Sequence, residues 1–112
     1  MAICYGKEII IVETAWGWTY NKYNNYPNKV DNSKPLNLSF SVKEQKKFFI
    51  RLAKIIKRIL NNKGKGFFYW EPDFIPVKGA GWKYGEGNEW NNMTIFDFKC
   101  NTLDYIGIFS KL

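Results

Sequence analysis

Histidine is absent from the 112-residue sequence, and cysteine occurs only twice. The lack of histidine excludes catalytic triads with an imidazole base and most zinc sites. Cys4 and Cys100 lie near opposite ends of the chain, which leaves a single disulfide open but favours two unpaired, partly buried thiols. No apolar run approaches the roughly 20 residues of a membrane span, and no signal peptide is visible at Met1. The sequence therefore predicts no membrane segment.

Acidic residues are also scarce, with 10 against 17 lysines and arginines, which gives a formal net charge of +7. Aromatic residues make up 19% of the chain and hydrophobic residues 46%, and this composition excludes a disordered protein. The length allows at most one domain. We therefore expect a folded, basic, aromatic-rich unit.

Two short apolar runs each end at a glutamate. The β-branched run Ile9–Val12 precedes Glu13, and the aromatic run Gly66–Trp70 precedes Glu71 and Pro72. The first run is typical of a strand buried on both faces, as in parallel sheets. Proline cannot donate a ladder hydrogen bond, so the second strand should end there. We predict two adjacent parallel strands.

A helix is predicted between the strands, near Val42–Leu60. Ser41 is a suitable N-cap, and Glu44 three positions later completes a capping box. Asparagine and glycine, which favour helix ends, follow at Asn61, Asn62 and Gly64. One broad apolar stripe should pack on the sheet, and it consists of Phe48, Phe49, Leu52, Ala53, Ile55, Ile56, Ile59 and Leu60.

The other side of this helix is strongly basic. We interpret this basic side as a solvent-exposed helix face. The less favoured interpretation is a binding surface for nucleic acid or an anionic membrane. The residues of this basic face are Lys43, Lys46, Lys47, Arg51, Lys54, Lys57 and Arg58.

The chain after Pro76 predicts a long glycine-rich loop and then a closing segment. The loop has no phosphate-binding glycine spacing, and it contains Gly79, Gly81, Trp82, Tyr84, Gly85, Gly87 and Trp90. From Met93 to Leu112 the pattern predicts a short strand or turn and a closing helix.

Four segments carry a specific resemblance, in the same order and at similar spacing: Gly6–Thr19, Ser41–Gln45, Phe68–Pro72 and Trp90–Phe98. They resemble the seventh-strand segment, the start of the next helix, the eighth-strand motif and the closing segment of glycoside hydrolase family 53, the endo-β-1,4-galactanases. The resemblance implies an α/β fold in which residues 1–112 form the C-terminal part of a (β/α)8 TIM barrel, namely strands seven and eight with their following helices. A whole barrel needs about 250 residues.

The resemblance also implies an activity, the retaining hydrolysis of β-1,4-galactan in arabinogalactan and pectin side chains. It makes Glu13 the nucleophile and places the acid/base on a fourth strand that this chain lacks. The isolated chain is therefore expected to be inactive, because a retaining glycosidase needs two carboxyl groups about 5 to 5.5 Å apart. The resemblance also implies an extracellular location. We expect no cofactor and no metal.

Trp70 and Glu71 are predicted to have different roles. A tryptophan face binds the C–H-rich face of a sugar ring, so Trp70 is the predicted platform for the sugar being cleaved. Successive strand residues point to opposite faces, so Glu71 should then face away and support the backbone or substrate site, although a catalytic pairing with Glu13 stays open.

Other candidate substrate contacts come from the loops. Each tryptophan fits a loop-packing role equally well, and the asparagine could bind substrate or secure its loop. These residues are Trp16, Trp18, Trp90 and Asn91.

Two other function classes remain possible on the sequence. One is a small carbohydrate-binding module that uses exposed tryptophans without catalysis, and the other is a basic domain that stacks nucleic-acid bases on its aromatic residues. The galactanase interpretation predicts a galactan or galacto-oligosaccharide partner and no nucleic acid. Unpaired strand edges also predict association with other polypeptide.

Overall fold

A computed structural model describes residues 2–32, 38–75 and 87–112, and the predicted glycine-rich loop with Trp82 lies largely outside these ranges. The main elements are helix α1 (Ala2–Tyr5), strand β1 (Ile9–Thr14), helix α2 (Val42–Lys57) and strand β2 (Gly64–Tyr69). Three short 3-10 helices span Tyr23–Asn25, Leu60–Asn62 and Ile106–Lys111. The predicted strand, helix, strand order is confirmed.

The two strands pair in parallel, as predicted, and α2 packs against the sheet. The prediction that β1 is buried on both faces is wrong for this chain. Ile10 is 51% exposed and Val12 68% exposed, whereas Ile9 and Ile11 are half-buried. The reason is that the described residues form only two strands and α2 covers one face of them, so the opposite face remains open.

Helix α2 begins as the sequence predicts and ends slightly earlier. The Ser41 hydroxyl accepts a hydrogen bond from the Glu44 amide at 3.1 Å, which satisfies one donor of the first turn. The helix ends at Lys57 instead of near Leu60. Asn61 and Asn62 then adopt left-handed φ angles of 59° and 55°, a conformation that asparagine tolerates well.

Gly64 has a different role from the predicted helix stop. It is the first residue of β2, and a Cβ atom there would lie 2.0 Å from the carbonyl oxygen of Ile56 in α2. Only glycine lets the helix backbone approach the strand so closely.

We predict that Gly64→Ala destabilises the fold by about 3 kcal/mol, because the added methyl group would push α2 away from β2. Gly107→Ala is the matched control, since a Cβ atom at Gly107 meets nothing within 4 Å. Chemical denaturation of both variants checks the prediction. Equal midpoints for the two variants would contradict the close approach of helix and strand.

The core lies between α2, β2 and the C-terminal segment. Phe49, Leu103 and Tyr105 form its buried centre. The Phe49 ring contacts Tyr69 of β2 at a centroid distance of 4.8 Å and Phe109 of the C-terminal 3-10 helix at the same distance. Aromatic burial therefore joins the closing segment to the strand, helix, strand unit.

The closing segment contains less regular structure than predicted. Phe96 and Thr102 form an isolated antiparallel bridge, and the predicted closing helix is a six-residue 3-10 helix, Ile106–Lys111. Such helices are short because their hydrogen bonds have poorer geometry than those of an α-helix.

The surface confirms some predictions and corrects one. Six members of the basic face of α2 are exposed, and Lys47 pairs with the Glu44 carboxylate at 2.5 Å. Cys4 and Cys100 are free, as predicted, but both are exposed, so the expectation of partly buried thiols is wrong. Among the described residues, no helix is both long and apolar enough to cross a membrane.

Candidate active site

Glu13 lies at the carboxyl end of β1, where the strand contains a bulge. Ile11 pairs with Phe67 and Thr14 with Tyr69, so three steps along β1 match two steps along β2. Without this extra residue, alternation would place Glu13 on the same side as Ile9 and Ile11, towards α2. The bulge shifts the alternation, and Val12 and Glu13 are both exposed. Glu13 therefore emerges on the open face of the sheet.

The open face also carries aromatic and aliphatic side chains. Phe68 is 64% exposed and Trp70 36% exposed, while their neighbours Phe67 and Tyr69 contact Phe49 of α2. The Trp70 amide donates to the Thr14 carbonyl at 2.8 Å. This bond fixes the end of β2 directly beside the end of β1. A carboxylate and an indole thus share one face at the carboxyl ends of paired parallel strands, the arrangement from which barrel enzymes build active sites.

Glu71 follows Trp70 at a sharp change of backbone direction. Its φ angle is 46°, in the left-handed region, and its side chain is half-exposed. The chain then turns, and the Pro72 carbonyl accepts a hydrogen bond from the Ile95 amide at 2.9 Å. Simple strand alternation therefore stops at Trp70, and the predicted supporting role of Glu71 stays a prediction.

Trp16 is held on the helix side of the structure. Its ring stacks on Phe48 of α2 at a centroid distance of 5.2 Å and meets the edge of Phe40 at 5.8 Å. Its indole nitrogen donates to the Ser39 carbonyl at 3.3 Å. These contacts account for Trp16 as a packing residue, and its predicted contact with substrate stays a prediction.

The remaining loop candidates are also held by neighbouring segments. The Trp18 amide donates to the Asn92 carbonyl at 3.0 Å, and its ring lies 4.8 Å from that of Phe98. The backbone amide of the half-buried Trp90 donates to the side-chain oxygen of Asn88 at 2.8 Å. Asn91 is fully buried, and its side-chain nitrogen and oxygen have no hydrogen-bond partner among the described residues. None of these contacts of the three residues involves Glu13.

Gln45 and Tyr69 are the residues that sequence reasoning missed. Gln45 is fully buried in the first turns of α2. Its position four residues before Phe49 places it in the apolar row, and a polar residue in such a row is a recognisable signal of a buried hydrogen-bonding role. The Tyr69 hydroxyl lies 2.8 Å from the Trp16 carbonyl and accepts from the Trp16 amide at 3.0 Å. Burial raises the pKa of Tyr69 to about 12.

Comparisons with known proteins support a single family. The Glycosyl hydrolase family 53 profile matches residues 1–109. The chain belongs to glycoside hydrolase family 53. A protein from the bgaB 5′ region of Niallia circulans is 37% identical over 97 residues, which cover 85% of this chain and 26% of that protein. An arabinogalactan endo-β-1,4-galactanase of Cellvibrio japonicus is 30% identical over 95 residues, covering 83% of this chain and 24% of the enzyme.

A fungal relative and a solved structure agree with that assignment. The arabinogalactan endo-β-1,4-galactanase of Thermothelomyces thermophilus is 28% identical over 113 residues, which cover all of this chain and 30% of the enzyme. The Ignisphaera aggregans GH53 catalytic domain superposes with a TM-score of 0.85 at 33% identity, covering 97% of this chain and 31% of that domain.

Membership of family 53 makes this chain part of a family of glycosidases with the TIM-barrel fold. The chain spans about a quarter of the length of the first two curated relatives. The described residues form one small α/β piece of that fold. They contain no group of three or more histidine, cysteine, aspartate or glutamate side chains suited to holding a metal ion.

Proposed function

We propose that this chain contributes strands seven and eight, with their following helices, to the barrel of a retaining endo-β-1,4-galactanase, and that Glu13 is the nucleophile. The substrate class follows from two relatives that are named arabinogalactan endo-β-1,4-galactanases. The proposed substrate is β-1,4-galactan or a galacto-oligosaccharide, and an extracellular location is proposed by the same resemblance.

The observation that carries the proposal is the bulge at the end of β1. It turns Glu13 from the helix side to the open face that also carries Trp70. In a closed barrel this face looks towards the barrel axis, where the substrate is bound at the carboxyl ends of the strands. A carboxylate there can attack the anomeric carbon of a sugar ring that packs on the adjacent indole.

The second carboxyl group of the mechanism is proposed to come from outside this chain. Retention needs one group to attack and another to protonate the leaving oxygen and then activate water. Glu71 is the acidic residue that follows the neighbouring strand, but its left-handed backbone marks a turn out of β2. We propose that Glu71 supports the turn or contacts substrate, and that another strand of the barrel supplies the acid/base.

The loop candidates fit supporting roles in this proposal. Trp16 packs the loop after β1 onto α2, and Trp18 joins that loop to the closing segment through the Asn92 carbonyl. Trp90 and Asn91 lie in the same closing segment. Their contacts with substrate are proposed only for parts that remain accessible in the whole barrel, such as the half-buried indole of Trp90.

Product stereochemistry tests the function. We predict that the full-length polypeptide carrying this segment hydrolyses β-1,4-galactan and releases the β-anomer first, as a retaining enzyme acting on a β-linkage must. Proton NMR during the first minutes of hydrolysis distinguishes the β-anomer from the α-anomer before mutarotation mixes them.

Two results would contradict the proposal. Release of the α-anomer first would show inversion and remove the nucleophile role of Glu13. Galactan binding without any hydrolysis, unchanged by Glu13→Gln, would instead identify a carbohydrate-binding module.

A further inference from the structure

A buried polar cluster joins the three segments that surround the carboxyl ends of the strands. Its centre is the Gln45 side chain, whose amide nitrogen lies 2.7 Å from the Trp16 carbonyl and 3.1 Å from the Tyr69 hydroxyl. The same nitrogen lies 3.3 Å and 3.0 Å from the carbonyls of Met93 and Thr94. The loop after β1, the end of β2 and the closing segment therefore meet at one side chain.

Tyr69 forms the second part of the cluster. Its hydroxyl accepts from the Trp16 amide at 3.0 Å and lies 2.8 Å from the Trp16 carbonyl and 2.6 Å from the Met93 carbonyl. A tyrosine hydroxyl has one proton, so it donates to one of these carbonyls at a time while Gln45 supplies the other donors. Tyr69 of β2 thus binds the backbone amide of Trp16, and Tyr69 and Gln45 of α2 share its carbonyl oxygen.

We propose that Gln45 and Tyr69 are positioning residues for the Glu13 carboxylate. This inference rests on the proposed nucleophile role of Glu13. Neither side chain needs to touch substrate, because each acts on the backbone that carries Glu13.

The bulge explains why such positioning is needed. An extra residue between Ile11 and Thr14 breaks the regular strand ladder, so the ladder alone does not fix the direction of Glu13. The Thr14 carbonyl is held by the Trp70 amide at 2.8 Å. Two residues further along the chain, the Trp16 amide donates to the Tyr69 hydroxyl and the Trp16 carbonyl accepts from the Gln45 side chain.

The chemistry of the two side chains suits this role. Burial raises the pKa of Tyr69 to about 12, so its hydroxyl keeps its proton across the neutral range. Gln45 is neutral at every pH and has the two amide protons that facing carbonyls require. Gln45 and Tyr69 therefore keep their protonation states over the pH range in which the carboxylates of a glycosidase titrate.

Tyr69→Phe tests the inference with the removal of a single oxygen atom. In the full-length polypeptide we expect kcat on β-1,4-galactan to fall about tenfold to a hundredfold, since small misplacement of a reacting group has effects of that size. KM should stay within about twofold, because the open face that binds the sugar is unchanged. Gln45→Leu would leave several buried carbonyls without a donor, so it is the less informative variant.

Tyr20→Phe is the matched control. The Tyr20 hydroxyl donates to the Leu38 carbonyl and its ring stacks on Phe40 at a centroid distance of 4.8 Å, so this variant loses one hydroxyl hydrogen bond but none that Gln45, Tyr69 or Trp16 makes. This variant should lower the melting temperature about as much as Tyr69→Phe but leave kcat within about twofold of wild type. Equal losses of kcat in both variants would show that the cluster contributes only to overall stability, and would overturn the inference.

A second measurement does not depend on activity. Tyr69→Phe should accelerate hydrogen exchange of the Trp16 amide at least about tenfold, because that amide loses its acceptor, whereas Tyr20→Phe should not. Unchanged Trp16 exchange in Tyr69→Phe, or full kcat in that variant, would overturn the inference. If wild type leaves galactan intact, the proposed function fails, and the Trp16 exchange rate still decides whether Tyr69 anchors this turn.

Discussion

Glu13→Gln should lower galactan hydrolysis by the full-length polypeptide at least about a thousandfold. The amide is nearly isosteric with the carboxylate but cannot form the covalent glycosyl intermediate. A thousandfold loss corresponds to about 4 kcal/mol of transition-state stabilisation. Steady-state reducing-sugar release measures the loss. Sugar binding should survive, because the Trp70 indole and the rest of the open face are unchanged.

Glu8→Gln is the matched control for this substitution. Glu8 immediately precedes the same strand at its opposite end and forms an exposed ion pair with Lys65 at 3.2 Å. An exposed ion pair contributes little to stability, so Glu8→Gln should leave kcat unchanged. Turnover by Glu13→Gln within tenfold of wild type would remove Glu13 from the mechanism.

The 112-residue chain by itself should show no galactan hydrolysis above background. Glu13 lacks an acid/base partner within the proposed mechanism, and an open sheet face cannot hold a sugar ring in the distorted form that the transition state needs. Each strand pairs on one edge only within the described residues. The chain should therefore be weakly stable or associate through its free edges and open face. Reducing-sugar assays and analytical ultracentrifugation measure the two properties.

Addition of the missing part of the barrel should restore hydrolysis, which provides the positive control for the isolated chain. Hydrolysis by the 112-residue chain that is lost in Glu71→Gln would contradict this prediction and would make Glu13 and Glu71 the working pair. A sharp, cooperative melt of a dilute monomer would contradict the expected weak stability.

Local sequence patterns determined much of the fold. The run Ile9–Val12 and the run that ends at Trp70 predicted parallel strands, and the Ser41 cap predicted the start of α2, because these features depend on side-chain period and on neighbouring backbone groups. The asparagines at 61 and 62 marked the helix end for the same local reason. The family motifs, including Phe68–Pro72, identified the family that the comparisons then showed.

Tertiary structure alone decided how the site is oriented. Alternation along β1 would have turned Glu13 towards α2, and only the pairing of β1 with β2 revealed the bulge that turns it to the open face. Contacts distant in sequence also assigned Trp16 to packing and made Gln45 the centre of a cluster that spans three segments. Strand register and buried hydrogen bonds depend on which segments meet in space, and a local pattern does not contain that information.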